Sequence, residues 1–231
     1  MNSRPHTTAI VAMTADGKIS DFQRSPARFG SASDKIHLEQ QISVVDGVIF
    51  GADTLRAYGT TLTVSNPVLL QERTRRSQFP QPVQIVVSAS GNLDQKWRFF
   101  EQPVPRWLLT VPSGADQWGD QAGFERVFIF PQSQVNSLKI DWAATFAQLK
   151  ALSLNKLAVL GGGELIASLL AEDLIDELWL TVCPLILGGN APTPVGGQGF
   201  IQSQGKKLTL LEVKQVGQEV FLHYERSSQQ L

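Results

Sequence analysis

Of cysteine, methionine and tyrosine the 231 residues hold very little: one, two and two. A lone Cys183 excludes an intramolecular disulfide and any zinc site built from several thiolates. The three histidines, His6, His37 and His223, stand far apart and supply no metal-ligand spacing, so no metal is expected. An excess of charge of either sign is missing as well: 20 Lys plus Arg stand against 21 Asp plus Glu, a net charge of −1. That balance gives no general electrostatic drive toward nucleic acid or an anionic membrane, and a small molecule is the expected partner. No run approaches the roughly 18 uninterrupted apolar residues of a membrane span. Residues Met1 to His6 lack the long apolar region of a signal peptide. With a single thiol, these absences predict a cytoplasmic protein.

What is present is a core-forming chain, 42% hydrophobic, that alternates short β-like runs with helical patterns. The strand-like runs are Thr7 to Met13, Asp46 to Gly51, Val83 to Val87, Arg106 to Thr110, Glu125 to Phe130, Lys156 to Leu160 and the long apolar Asp176 to Leu187. Ser31 to Asp34 reads as a capping box opening a helix whose apolar face is Leu38, Ile42 and Val45. A short helix or turn is expected near Thr54 to Tyr58, and Asp141 caps a helix carrying Trp142, Phe146 and Leu149 on one face. Gly59 to Pro82 is polar and turn-rich, and its basic cluster Arg73, Arg75 and Arg76 reads as a solvated loop. Leu208 to Val216 and Glu219 to Arg226 flank Gly217-Gln218, the signature of a β-hairpin. Strands separated by helices imply right-handed βαβ units, so the predicted fold is a three-layer α/β domain. Its mixed sheet is mainly parallel, with helices on both faces and a C-terminal antiparallel hairpin. No repeat or low-complexity linker appears, and one domain spanning residues 1 to 231 is expected; a split near Pro131 to Leu138 is the alternative.

The chemistry-bearing residues gather where strands end. KLAVLGGGEL, Lys156 to Leu165, runs a buried strand into Gly161, Gly162 and Gly163 and then directly into a helix with Leu165, Ile166, Leu169 and Leu170 inward. Glycines admit a close backbone approach, and the free N–H groups of a helix start attract phosphate. It is neither a GxGxxG fingerprint nor a P-loop, and a tight turn without ligand has the same letters. Gly51-Ala52-Asp53-Thr54, Ser88-Ala89-Ser90 and Thr110 mark three more strand ends with small or hydroxyl residues. In open α/β sheets ligands sit at such carboxyl ends. Asp16-Gly17-Lys18 is a turn after the first strand; Lys18 is read either as an ordinary surface lysine or as a contact to substrate or cofactor. Asp34 is read either as a helix-start charge favoured by the dipole or as a carboxylate for a heterocycle edge. Cys183 reads as a small buried apolar residue.

Taken in order, MTADGKI, GADTLRAY, VLGGGEL and DELWLTVCPLILGG resemble the reductase domain of bifunctional riboflavin-biosynthesis proteins, a branch of the dihydrofolate reductase superfamily, in its stand-alone form. The resemblance runs from about Thr7 to Glu225. It implies an NADPH-dependent oxidoreductase of the 5-amino-6-(5-phosphoribosylamino)uracil reductase type, and a homodimer. It places Gly161, Gly162, Gly163, Glu164 and Leu165 near the cofactor pyrophosphate, Gly51 and Thr54 on its other phosphate-facing side, and Ser88 and Ser90 near the adenosine 2′-phosphate. Asp16 and Gly17, with Lys18, would cover the nicotinamide. Lys18 and Asp34 are the candidate catalytic residues. Leu160 stands where that family carries a glutamate, Ala57-Tyr58-Gly59-Thr60 replaces its Ala-Asp-Asp-Pro, and Ser65 lies where an arginine is expected. The absence of a zinc deaminase motif fits a reductase alone. The alternatives are reduction of folate or another heterocycle centred on Asp34, and a nucleotide-binding module without turnover.

Overall fold

The computed structural model describes residues 3–119, 123–130 and 140–227. They form two compact units, one of Met1–His6 with Glu39–Ala158 and one of Thr7–Leu38 with Val159–Leu231. The alternative boundary near Pro131 to Leu138 lies outside the described residues.

The first unit holds strands in the order β5-β4-β3-β2-β6: Arg126–Ile129, Arg106–Thr110, Val83–Val87, Gly47–Gly51 and Lys156–Val159. The β2–β3, β3–β4 and β4–β5 pairs are all parallel. Their Val, Ile and Leu runs are buried on both sides, as parallel strands require; Ile49, Ile85 and Leu108 are fully buried. Helices α2 (Ala52–Tyr58), α3 (Pro67–Arg75), α4 (Pro112–Asp116) and α5 (Trp142–Ala151) alternate with them. Asp141 caps α5 as expected, its carboxylate accepting the Ala144 N–H at 2.9 Å.

Helix α3 corrects the reading of Gly59 to Pro82 as loop. Asn66 caps it by accepting the Val68 N–H, and Pro67 occupies its first turn. Its only buried residue is an arginine rather than an aliphatic, so no hydrophobic period announced it. Arg73 is 1% exposed and is therefore not part of a solvated cluster. Its guanidinium donates to the carbonyls of Phe79, Ser43 and Val45 at 2.8, 2.9 and 2.8 Å. Burial, with Arg76 beside it, lowers its pKa to about 10, so it stays cationic at neutral pH.

The second unit holds β1-β7-β9-β8: His6–Thr14, Glu177–Cys183, Glu219–Arg226 and Leu208–Val216. Strands β1 and β7 are parallel, with Thr14 opposite Cys183, so their carboxyl ends share one edge. Strands β7–β9 and β9–β8 are antiparallel, which is the expected C-terminal hairpin. The long Asp176 to Leu187 strand is shorter than predicted: β7 stops at Cys183 because Pro184 follows and offers no N–H to a ladder. Helix α6 (Gly163–Ala171) buries Leu165, Ile166 and Leu169. Helix α1 (Ala32–Ile42) ends before Val45, which is buried beyond it. Mixed pairing, mainly parallel, with interleaved helices gives the α/β class predicted.

Candidate functional site

The second unit brings Asp16, Gly17, Lys18, Asp34 and the Gly161 to Leu165 turn into one body, and it does so at the carboxyl edge of β1 and β7. Leaving β1, the chain makes a tight loop: Thr14 N–H donates to the Lys18 carbonyl, Gly17 N–H to the Thr14 carbonyl, and Lys18 N–H to Thr14 Oγ1, each at 2.9 Å. Asp16 ties this loop to the segment after β7. Its carboxylate accepts the Leu187 and Gly188 N–H groups at 3.2 and 2.6 Å and the Thr14 hydroxyl at 2.5 Å. These donors, the Thr14 hydroxyl foremost, hold its pKa down at about 2. The Lys18 ammonium, by contrast, has no hydrogen bond or ion pair among the described residues, and the side chain is half-buried.

At the glycine turn Gly162 takes φ 81° and ψ 104°, a conformation L-residues rarely adopt, and no side chain caps the α6 start. A Cβ on Gly163 would meet the Thr193 carbonyl at 2.6 Å, so the loop after β7 packs on the turn. Glu164 is engaged there, accepting the Gly197 N–H at 2.9 Å. The α6 start therefore presents a glycine backbone without a side-chain cap, the donor set a phosphate needs.

Asp34 sits in the first turn of α1. The cap is genuine, since Ser31 Oγ accepts the Ser33 and Asp34 N–H groups at 3.0 and 3.3 Å. The reciprocal half of the capping box is not Asp34, however. Glu219, at the start of β9, accepts the Ser31 N–H at 2.7 Å and the Ser31 hydroxyl at 2.5 Å. Relieved of that duty, the Asp34 carboxyl meets Thr181 on β7. Burial first, and then Glu219, raise its pKa against the hydrogen bond from Thr181. Glu219 is 3% exposed and also receives the Cys183 S–H at 3.6 Å. Burial and the two carboxylates push the Cys183 thiol up to about 12, which makes it inert. Glu219 escaped the sequence reading because nothing local distinguishes it from any glutamate after a hairpin turn. Only the antiparallel register, Val182 opposite Val220, brings it to the end of β7.

The first unit carries the remaining candidates. Gly51 is the N-cap residue of α2, with Thr54 in its first turn. Ser88 is 3% exposed and its Oγ accepts the Gly91 N–H at 3.2 Å, so it closes a turn. Ser90 is exposed and accepts the Asn92 N–H. Of the basic cluster, Arg73 is committed to carbonyls, and Arg76 also donates to the Ser43 carbonyl at 2.9 Å. Ser65, at the place of the missing arginine, donates through N–H and hydroxyl to Glu39 at 2.6 and 3.0 Å. Among the described residues no group of three or more His, Cys, Asp or Glu lies together to hold a metal ion. No helix there is long and apolar enough to cross a membrane.

A parallel α/β sheet extended by a hairpin, with glycine and acidic loops at its carboxyl edge, defines the dihydrofolate-reductase-like class. Residues 5–222 match the RibD C-terminal domain, and the chain belongs to that family. It is 27% identical over 218 residues to the 2,5-diamino-6-ribosylamino-4(3H)-pyrimidinone 5′-phosphate reductase of Archaeoglobus fulgidus, covering 93% of this chain and 95% of that protein. Among solved structures, a pyrimidine reductase-like protein from Corynebacterium diphtheriae superposes with a TM-score of 0.80 at 20% identity, covering 97% of this chain and 93% of the other. The Thermotoga maritima diaminohydroxyphosphoribosylaminopyrimidine deaminase/5-amino-6-(5-phosphoribosylamino)uracil reductase gives 0.74 at 18% identity, covering 97% of this chain and 57% of that one. The two structural likenesses show the fold; the sequence relative, like them, is a reductase by name.

Proposed function

We propose that the protein is an NADPH-dependent reductase of a ribosylated pyrimidine 5′-phosphate, of the 5-amino-6-(5-phosphoribosylamino)uracil reductase type. The observation that carries this reading is the uncapped start of α6 behind Gly162. Its backbone fits a dinucleotide pyrophosphate, and it lies in the same unit as Lys18 and Asp34. NADPH, when bound, supplies a hydride. The acceptor would be the imine carbon formed when the ribosylamine ring opens, with a proton taken up at the attached nitrogen. The chain's own residues position the reactants. Gly161 to Leu165 hold the pyrophosphate; Gly51 and Thr54 are cofactor contacts as well. Ser90 meets the 2′-phosphate, with Ser88 shaping the turn that presents it. Lys18 brings a positive charge to the substrate. Asp16 does not touch the nicotinamide directly; it holds Gly17 and Lys18 over it. Asp34 hydrogen-bonds the pyrimidine edge. The protein works in the cytoplasm as a single reductase domain.

Gly162→Val tests the assignment, because a β-branched side chain there misaims the backbone donors. In protein shown to be folded by circular dichroism and a cooperative melt, calorimetry should show NADPH affinity reduced by about tenfold or more, the loss of a charge-assisted hydrogen bond. Wild type should bind NADPH more tightly than NADH. Undiminished NADPH binding by folded Gly162→Val sinks the reading of the turn. Failure of the wild type to oxidise NADPH with any ribosylated pyrimidine phosphate favours the binding-module alternative.

A further inference from the structure

Between β7 and β8 the chain from Leu185 to Gly197 has no helix or strand of its own, and Ala191 is its one buried residue. Packing therefore does little to place it; hydrogen bonds at its two ends do. One end is tied to the loop after β1. The Ala15 N–H donates to the Leu185 carbonyl at 2.8 Å, and the Asp16 carboxylate takes the Leu187 and Gly188 N–H groups. The Ile19 N–H adds a bond to the Pro192 carbonyl at 2.9 Å. The other end is tied to the glycine turn, where the Gly196 N–H donates to the Gly163 carbonyl at 3.0 Å and the Gly197 N–H to Glu164 Oε1 at 2.9 Å. The approach is close, since a Cβ on Gly196 would stand 2.7 Å from that carboxylate oxygen. All of these residues belong to the second unit.

The Glu164 side chain is badly suited to a phosphate. An ionised carboxylate only accepts hydrogen bonds and repels an anion, so its place beside the α6 start is explained by the Gly197 N–H rather than by a ligand. Asp16 matches it at the far end, a second carboxylate on backbone N–H groups of the same segment. Each tie lowers the entropy that the other must overcome, because a segment fixed at one end has fewer positions left at the other. We propose that Leu185 to Gly197 is a strap coupling the loop of Lys18 to the turn of Gly162, with Asp16 and Glu164 as the positioning residues that pin it. The two ends of the cofactor are then gripped together: a turn ordered by the pyrophosphate stiffens the Lys18 loop, and the reverse holds equally. The inference rests on the reading of these two loops as the nicotinamide and pyrophosphate contacts.

Hydrogen exchange of the whole chain without ligand reads the strap alone. Asp16→Asn removes one of the two carboxylate oxygens that hold Leu187 and Gly188, and should speed exchange at Gly196 and Gly197 by about fivefold or more. Glu164→Ala should do the same at Leu187 and Gly188, and Glu164→Gln, which keeps an acceptor for Gly197, should restore most of the protection. Calorimetry with 2′-phosphorylated ADP-ribose, which has the pyrophosphate and no nicotinamide, reads the coupling. Folded Asp16→Asn should bind this fragment more weakly by about fivefold or more, although Asp16 serves the opposite end of the cofactor. Glu164→Ala should weaken it as well, whereas a merely repelling charge predicts tighter binding. Exchange that rises only beside the substituted residue, unchanged fragment affinity in folded Asp16→Asn, or tighter binding by Glu164→Ala overturns the strap. A wild type that does not bind the fragment overturns the reading of the glycine turn, and the coupling with it. If Asp16→Asn does not fold, Glu164→Ala decides, because Glu164 is exposed; unchanged exchange at Gly188 then rejects the idea.

Discussion

Two side chains of one kind, Arg73 and Lys18, show how differently a cation can be used. Arg73 is spent on three carbonyls and is sealed from solvent; Lys18 is anchored through its backbone, and its ammonium has no partner among the described residues. Arg73→Ala should therefore cost about 3 kcal/mol or more in urea unfolding, since it strands buried carbonyls, and should leave the NADPH dissociation constant of the folded fraction unchanged. Arg73→Lys should recover little, because one ammonium cannot span the fork. Asp34 predicts the opposite sign. Its folded pKa is raised above the ordinary 3.8, so the unfolded chain releases the proton first and folding loses stability as pH climbs above that value. Asp34→Asn should raise Tm by about 2 °C or more at pH 7 and by much less near pH 4, measured by scanning calorimetry. A Tm difference independent of pH would show that Asp34 carries no such burden.

At the level of elements, legibility followed burial pattern. The parallel strands were legible because aliphatic runs bounded by turn residues leave little else to be, and α5 and α6 because their apolar faces repeat. Helix α3 was illegible because its inward side chain is Arg73, and the end of β7 was overrun because the apolar letters continue past Pro184. Of the site, the glycine turn and the Asp16 loop were visible as local motifs. The meeting of Ser31 with Glu219 was not, because it depends on strand register. The dimer expectation changes its footing for the same reason. Strand β7 is flanked by β1 and β9, which accounts for its apolar character, and Leu185 and Leu187 lie beyond it. The unpartnered apolar surface is on β8, the last strand of its run, where Leu208, Leu210, Leu211 and Val213 are 42–58% exposed. An edge of that kind invites a second copy. We propose a homodimer through β8. Val213→Glu should convert a dimeric mass in light scattering to a monomeric one at micromolar concentration, and a wild-type monomer there refutes it.

Across the whole molecule, the bond from Ser31 to Glu219 closes over 188 positions of sequence. Contacts so distant form late, because the loop they close must be ordered first. During synthesis the first unit's strands and α6 are complete while Glu219 is still within the ribosome or not yet made. A nascent chain can thus form its glycine turn before α1 has its cap partner. The acidic edge is finished only by the final hairpin, so chains released short of β9 would carry the glycine turn without a fixed Asp34. Premature termination before β9 would thus yield chains that keep the glycine turn and lose the closure of α1, a hazard that falls on the cell's quality control.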